Sequence, residues 1–370
     1  MEKPIKAKLH IMSPVHIGCD DVYEPTSFRI DENRKKLIEF DPMDFIKALS
    51  DEDRQKFTNY CMREDISSGD ISSIVNIYKF ISGRQVKGRE VEIADGLLEH
   101  YKKVIGLSVR DENKIKRELN QFAISRTAYN PHNNLPYIPG SSLKGAIRTA
   151  YLSKLAVEKE IKGRKDKAKD FEIELLGGRF ETDPFRMVKP SDFLPVGDVK
   201  TKIMYAVNKK KKTSKFEARG PFQIFETIKE GSVFEGTLNI QQPQPTAGIK
   251  KPIHYEELLK STHDFYRKMV NDEDEVTKSI GAGSVVVNSI VSKFKEKRGV
   301  SAFLLRIGRH SGAEAVTIEG NRDIKIMQGK GQSPKYLDQA TTLWLASETS
   351  KPNSNNGLVP FGWAVMEVIS

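Results

Sequence analysis

The chain has 370 residues, 38% of them hydrophobic and 30% charged, enough apolar content for a packed core beneath a very polar surface. No apolar run approaches the ~18 residues that a membrane span requires, and the opening MEKPIKAKLHIMSP lacks the uninterrupted apolar stretch of a secretion signal. Only Cys19 and Cys61 occur, which excludes a disulfide framework or a cysteine zinc quartet and points to a reducing, cytoplasmic setting.

Lys plus Arg number 60 against 50 Asp plus Glu, a formal charge of +10, and the excess is local. From Lys200 to Arg219 there are eight cations and one anion; from Ser141 to Asp170 there are nine cations and four anions. These windows carry more than the whole net charge, so the rest of the chain is near neutral. A localised positive field suits a polyanion, most often nucleic acid. Lysine runs also serve solubility alone.

The first element expected is a strand from Ile5, alternating apolar and polar residues and ended or bent by Pro14. FRIDENRKKLIEFD reads as a hairpin turning at Asp31-Glu32-Asn33. Next comes a helix capped by Asp41, with Pro42 at its first position and Phe45, Ile46 and Leu49 on its apolar stripe. From about Ser50 to Leu119 the pattern is helical and charged, which reads as an inserted helical subdomain. QFAISRTAYN is strand-like, PHNNLPYIPGSS a loop, and a helix follows from Ser142 to about Lys159.

EIKGRKDKAKDFEIELLGG reads as a charged linker with a short helix, and VKPSDFLPVGDVKTKIMYAV as two strands running into Lys209, Lys210, Lys211 and Lys212. FQIFETIKEGSVFEGTLNI is a strand, a tight turn near Gly231 and a second strand; QQPQPTAGIKKP is a linker. IHYEELLKSTHDFYRKMVNDEDEVTKSI is the strongest helix pattern of the C-terminal half. A strand breaking at Gly308 and a closing strand in GLVPFGWAVMEVI complete the chain. Strands with hairpin character between helices argue for an α+β fold with an antiparallel sheet, for which the split β-α-β arrangement is the natural candidate.

YIPGSSLKGAIRTAYL, from Tyr137 to Leu152, carries the most chemistry. Leu143, Ile147, Ala150 and Tyr151 share one helical face, and Lys144 and Arg148 share another. Ser141 or Ser142 is placed to cap the first turn, and Gly140 permits a tight turn and a close neighbour. A helix N-terminus with cations beside it attracts a phosphate. The bland alternative is that the serines cap and the cations are solvated. The stretch is not a P-loop, because Lys144 precedes Gly145 rather than Ser or Thr.

YIPGSSLKGAIRT resembles the signature of the RAMP proteins of CRISPR effector complexes. SPVHIG (Ser13 to Gly18) resembles their first strand and turn, and FETIKEGSVFEGTLNI (Phe225 to Ile240) their paired strands after the central helix. LLRIGRHSG (Leu304 to Gly312) is similar to their glycine-containing loop, and PFGWAVMEV (Pro360 to Val368) to their closing strand. Order and spacing are most similar to the subunit that ends the backbone filament of type III-A (Csm) complexes. The resemblance implies a ferredoxin-like (RRM-like) RAMP core with an antiparallel sheet, in two such units. The first spans 1–190 with a helical insertion at about 50–119. The second spans 191–370, with a basic hairpin at about 200–222 and the glycine-containing loop at about 308–312. Gly281 to Ser284 (GAGS) is the competing position for that loop.

It also implies a non-catalytic subunit that holds the 3′ side of the crRNA and aids its maturation. The implied partners are the crRNA, an adjacent RAMP backbone subunit and a host 3′-trimming nuclease, with no cofactor, metal or membrane. The implied RNA contacts are Gly140, Ser141, Ser142, Lys144, Arg148, His16, Lys209, Lys210, Lys211, Lys212, Arg309 and His310. Two alternatives stand beside it. One is a metal-independent RAMP endoribonuclease cleaving repeat RNA, with His310 beside Arg309 as its candidate acid or base. The other is a scaffold without RNA contact. None of the seven histidines forms a metal-type pair with a helical carboxylate. Asp20, Asp21 and Asp31 stand in no context that carries over the target-cutting activity of a related subunit.

Overall fold

The computed structural model describes residues 4–62, 72–107, 112–163, 168–212, 214, 218, 220–285, 301–328 and 331–369. Parts of the expected helical insertion (63–71, 108–111), of the charged linker (164–167) and of the basic hairpin's tip (213, 215–217, 219) lie outside the described residues.

The chain opens with β1 (Ile5–Ile11), β2 (Gly18–Val22), β3 (Phe28–Asp31) and β4 (Lys36–Glu39). Helices α1 (Pro42–Ala48), α2 (Asp51–Cys61) and α3 (Ser72–Ser82) precede β5 (Arg89–Ile93); α4 (Asp95–Ile105) and α5 (Glu112–Gln121) precede β6 (Ile124–Thr127). Then come α6 (Gly140–Glu158), α7 (Ala168–Leu176), β7 (Val188–Pro190), β8 (Leu194–Val196), β9 (Thr201–Lys210), β10 (Gln223–Ile228) and β11 (Val233–Ile240). After α8 (Tyr255–Ser279) follow β12 (Ala302–Arg306), β13 (Ile324–Ile326), β14 (Lys335–Leu337), β15 (Thr342–Ser347), β16 (Val359–Pro360) and β17 (Trp363–Val368).

The first sheet has the order β12-β17-β1-β11-β7, with β8 also on β11, and every pair is antiparallel. In β1, Ala7, Leu9 and Ile11 are buried while Lys6 and Lys8 point away, the alternation of a strand with one face on a core. That core takes in Leu143, Ile147 and Ala150 of α6, Leu258, Tyr266 and Val270 of α8, and Phe234 and Leu238 of β11. Two helices over an antiparallel sheet, met in the order β1, α6, β7/β8, β11, α8, β12/β17, are consistent with a ferredoxin-like unit. Here β17, rather than β12, takes the place beside β1.

The second sheet has the order β2-β6-β10-β9-β5-β4-β3, with β15 on β9 and β16 on β15. It is mixed: β10 runs parallel to β6 and β9 parallel to β5, and the remaining pairs are antiparallel. Its core joins Ile203, Tyr205, Val207, Ile224, Leu343 and Leu345 to Tyr78 of α3 and Leu97, Tyr101 and Val104 of α4. The stretch read as a helical insertion thus contributes a strand. In β5, Val91 and Ile93 alternate inward between β4 and β9, a signal too short to stand out amid helical charge patterns. Strands from both sides of residue 190 occur in each sheet.

Among the places where the chain passes between the sheets, two turn at glycines. The strands flanking Gly231 are not a pair: β10 belongs to the second sheet and β11 to the first. With β9 and β6 on its two sides, β10 has no free edge for β11. Gly231, at φ 85°, instead donates its amide to Ile11 O at 2.9 Å and sends β11 onto β1. The expected closing strand is likewise two, broken at Gly362 (φ 91°), where a Cβ would sit 2.5 Å from Ile307 O.

Candidate nucleic-acid interface

Helix α6 begins at Gly140 with Pro139 as its cap residue and no side-chain cap, so Ser141 and Ser142 lie inside the first turn rather than capping it. Gly140 is buried, and its amide donates to Asp192 Oδ1 at 2.8 Å. A Cβ there would stand 2.4 Å from Pro190 O and 2.7 Å from Ser191 O. The glycine therefore admits the protein's own chain leaving β7. Ser141 is exposed and Ser142 half-buried.

The two cations in the first half of this helix differ. The Arg148 guanidinium donates to Glu172 Oε2 at 3.1 and 2.7 Å, pairs with Asp183 Oδ2 at 2.9 Å and lies 5.0 Å over the Phe185 ring. Its charge is offset by two carboxylates. Lys144 has no ion pair among the described residues. Burial, with Arg148 and Lys189 nearby, pulls its pKa below the usual lysine value against the attraction of Asp183. Of these two residues, Lys144 is the one without a carboxylate partner among the described residues.

His16 is 1% exposed; its Nδ1 bonds Glu226 O at 2.8 Å and its ring stacks on Phe225 at 4.3 Å. The glycine-containing loop closes over it. Arg309 donates its amide to His16 O at 2.8 Å, and Gly308 (φ 81°) is required because a Cβ would come within 2.4 Å of the same oxygen. Gly281 to Ser284 instead turns the chain at the end of α8, where Gly283 donates to Leu358 O at 2.7 Å.

His310, at φ 64°, stacks on Trp344 at 4.5 Å and bonds Gln223 Oε1 at 3.0 Å. Burial, helped by Arg309 and His16, lowers its pKa to about 3. A histidine so depressed stays neutral near pH 7 and is ill-suited to donate a proton. Exposed Arg309 lies 5.3 Å over the Phe225 ring.

Lys209 and Lys210 end β9, paired across to Leu343 and Thr342 of β15, and so belong to a sheet. Lys211 turns to Glu314 at 2.6 Å, while Lys210 donates to Ser214 at 3.0 Å. Beside them runs an open groove of about 880 Å³. It is lined by Lys209, Lys210, Lys212 and Lys351, with amides from Gln121, Asn208, Asn353 and Asn355 and the aromatic face of Phe222. Among the described residues that line it there is no carboxylate. Cations, amide groups and an aromatic ring together are chemically suited to a polyanion.

Sequence reasoning did not find Lys351, Asn353, Asn355 or Trp344. The alternation of buried Leu343 and Leu345 marks β15, and that strand brings the Ser350–Asn355 loop to the lysines.

Residues 8–280 match the RAMP superfamily, and the chain belongs to it. The whole chain resembles one branch of that family. It is 25% identical, over 409 aligned residues covering 99% of this chain and 89% of that protein, to the CRISPR system Cms protein Csm5 of Methanocaldococcus jannaschii. Its fold is similar to a chain of a cryo-EM Csm–crRNA–target RNA ternary complex of a type III-A CRISPR–Cas system (TM-score 0.57, 17% identity, 98% of this chain and 100% of that one). It is also similar to the crystal structure of T. onnurineus Csm5 (TM-score 0.50, 17% identity, 97% and 99%). Among the described residues no helix is long and apolar enough to cross a membrane.

Proposed function

We propose that this chain is a Csm-type subunit of a type III-A CRISPR effector complex. In this reading it ends the backbone filament, binds the 3′ side of the crRNA and supports maturation of that end without cutting RNA itself. The observation that carries the reading is the likeness to Csm5 along 99% of the chain. The groove supplies a physical route for the strand. A guide must be held whatever its sequence, so contacts should go to phosphates and riboses. Lys209, Lys210, Lys212 and Lys351 are the contacts assigned to the groove, with Arg309 on the glycine-containing loop and Lys144 with Ser141 and Ser142 at the mouth of α6. The partners are the crRNA, a neighbouring RAMP subunit and a trimming nuclease of the host, in the cytoplasm. The depressed pKa of His310 favours holding over cleavage.

The test is photo-crosslinking of a 4-thiouridine-labelled guide in the assembled complex, with peptide mapping. Crosslinks are expected on peptides containing Lys209–Lys212 and Lys351. A guide that crosslinks to the neighbouring subunits and never to this chain overturns the RNA-holding role.

A further inference from the structure

Helix α5 ends at the basic groove: Gln121, its last residue, is one of the residues that line it. The inward face of this helix fixes its outward one. Ile115 is fully buried with Val75 and Leu107, and Leu119 packs beside them. Phe122, just past the helix, joins the core of the second sheet together with Val207. Val207 also lines the groove, so the helix end and the groove wall are parts of one packed body.

With that face inward, Lys114, Arg117 and Gln121 fall on one flank, at i, i+3 and i+7. Lys114 is exposed, and the Arg117 side chain is 65% exposed. At a rise of about 1.5 Å per residue, Arg117 stands about 6 Å and Lys114 about 10 Å along the helix from Gln121. The helix also carries two acids. Glu118 is buried and shared between Lys103 at 2.7 Å and Arg117 at 3.3 Å, one negative charge against two positive. Glu112 falls on the opposite side by the same spacing. A positive flank therefore continues a groove that already has Lys209, Lys210, Lys212 and Lys351 in its walls.

An isolated row of surface cations is ordinarily just solvated. One that prolongs a cationic groove offers the phosphates of a single strand a track that ignores sequence. We propose that α5 extends the groove, so that a single-stranded RNA leaving it past Gln121 runs along the Arg117–Lys114 flank. The inference rests on the guide-RNA reading of the groove, and it gives the helical part of the N-terminal region a share in holding the strand.

The test uses the assembled complex and a guide carrying one 4-thiouridine at successive positions. Crosslinks are expected on groove peptides containing Lys209–Lys212 and, from positions farther along the same strand, on peptides of α5. Groove crosslinks with none on α5 overturn the extension and leave the groove reading standing. Crosslinks on neither remove both, and crosslinks on α5 alone overturn the continuity. In salt titrations of guide binding, Lys114→Gln with Arg117→Gln should flatten the log–log slope by roughly 1.4, two single-strand contacts of about 0.7 each, with no shift in melting temperature. Arg117→Lys should keep the slope. An unchanged slope in the double variant, as when an acidic protein surface rather than RNA covers this flank, sinks the proposal.

Discussion

The amide of Gly140 donates to the carboxylate of Asp192 at 2.8 Å, so an internal acid already occupies the first donor of α6. The signature glycine is therefore a packing residue, held against the chain that leaves β7. Gly140→Ala should cost about 1–3 kcal/mol as an overpacked contact. Asp192→Ala should cost about 1 kcal/mol as a lost bond at a helix start. Urea denaturation measures both. A glycine needed only for the approach of RNA would leave the midpoint unmoved on Gly140→Ala.

Lys144 and Arg148 should part company on mutation. Lys144→Glu is expected to weaken RNA binding and lower its salt slope while leaving the melting temperature nearly unchanged. Arg148→Glu places a third carboxylate beside Glu172 and Asp183, and its main effect should be a lower melting temperature. Equal loss of RNA affinity with no thermal effect would contradict this division.

In the groove, charge can be counted directly. Each phosphate contact on a single strand contributes about 0.7 to the slope of log affinity against log salt. Converting Lys209, Lys210 and Lys212 to Gln should flatten that slope by roughly 2 in the assembled complex. Lys211→Gln should change it little, since Lys211 is paired with Glu314. Anisotropy titrations across a salt series supply the slopes.

His310 links stability to pH. Its folded pKa is about 3, below the ordinary 6.5, so between those values the unfolded chain binds the extra proton. Its contribution is complete above pH 6.5 and is lost as pH falls toward 3. By pH 5 the loss should reach about 2 kcal/mol. His16, also lowered by burial, acts in the same direction. His310→Gln should flatten the pH dependence between 6.5 and 4 in denaturation curves; an unchanged slope would place the acid sensitivity elsewhere.

Much of the fold was legible where a short rule decides it. Asp41 accepts from the amides of Met43 and Asp44 with Pro42 at the first helical position, as read, and the buried face of α6 is the one its spacing predicts. What escaped depends on partners distant in the chain. Nothing local to Gly140 names Asp192, and nothing near Arg148 names Glu172 or Asp183, so the internal partners of these two residues could not be read from the sequence. The assignment of β10 and β11 to different sheets is similarly set by β1, more than 200 residues upstream. The lysines from Lys209 were visible as charge, whereas the groove needed the Ser350–Asn355 loop brought alongside by β15.

The polypeptide steps from one sheet to the other at Gly231 and again at Gly362, and β1 is held between strands contributed by far later parts of the chain. Such stitching leaves no seam along which half the molecule could peel away. A pull applied to either sheet would be borne by both layers together.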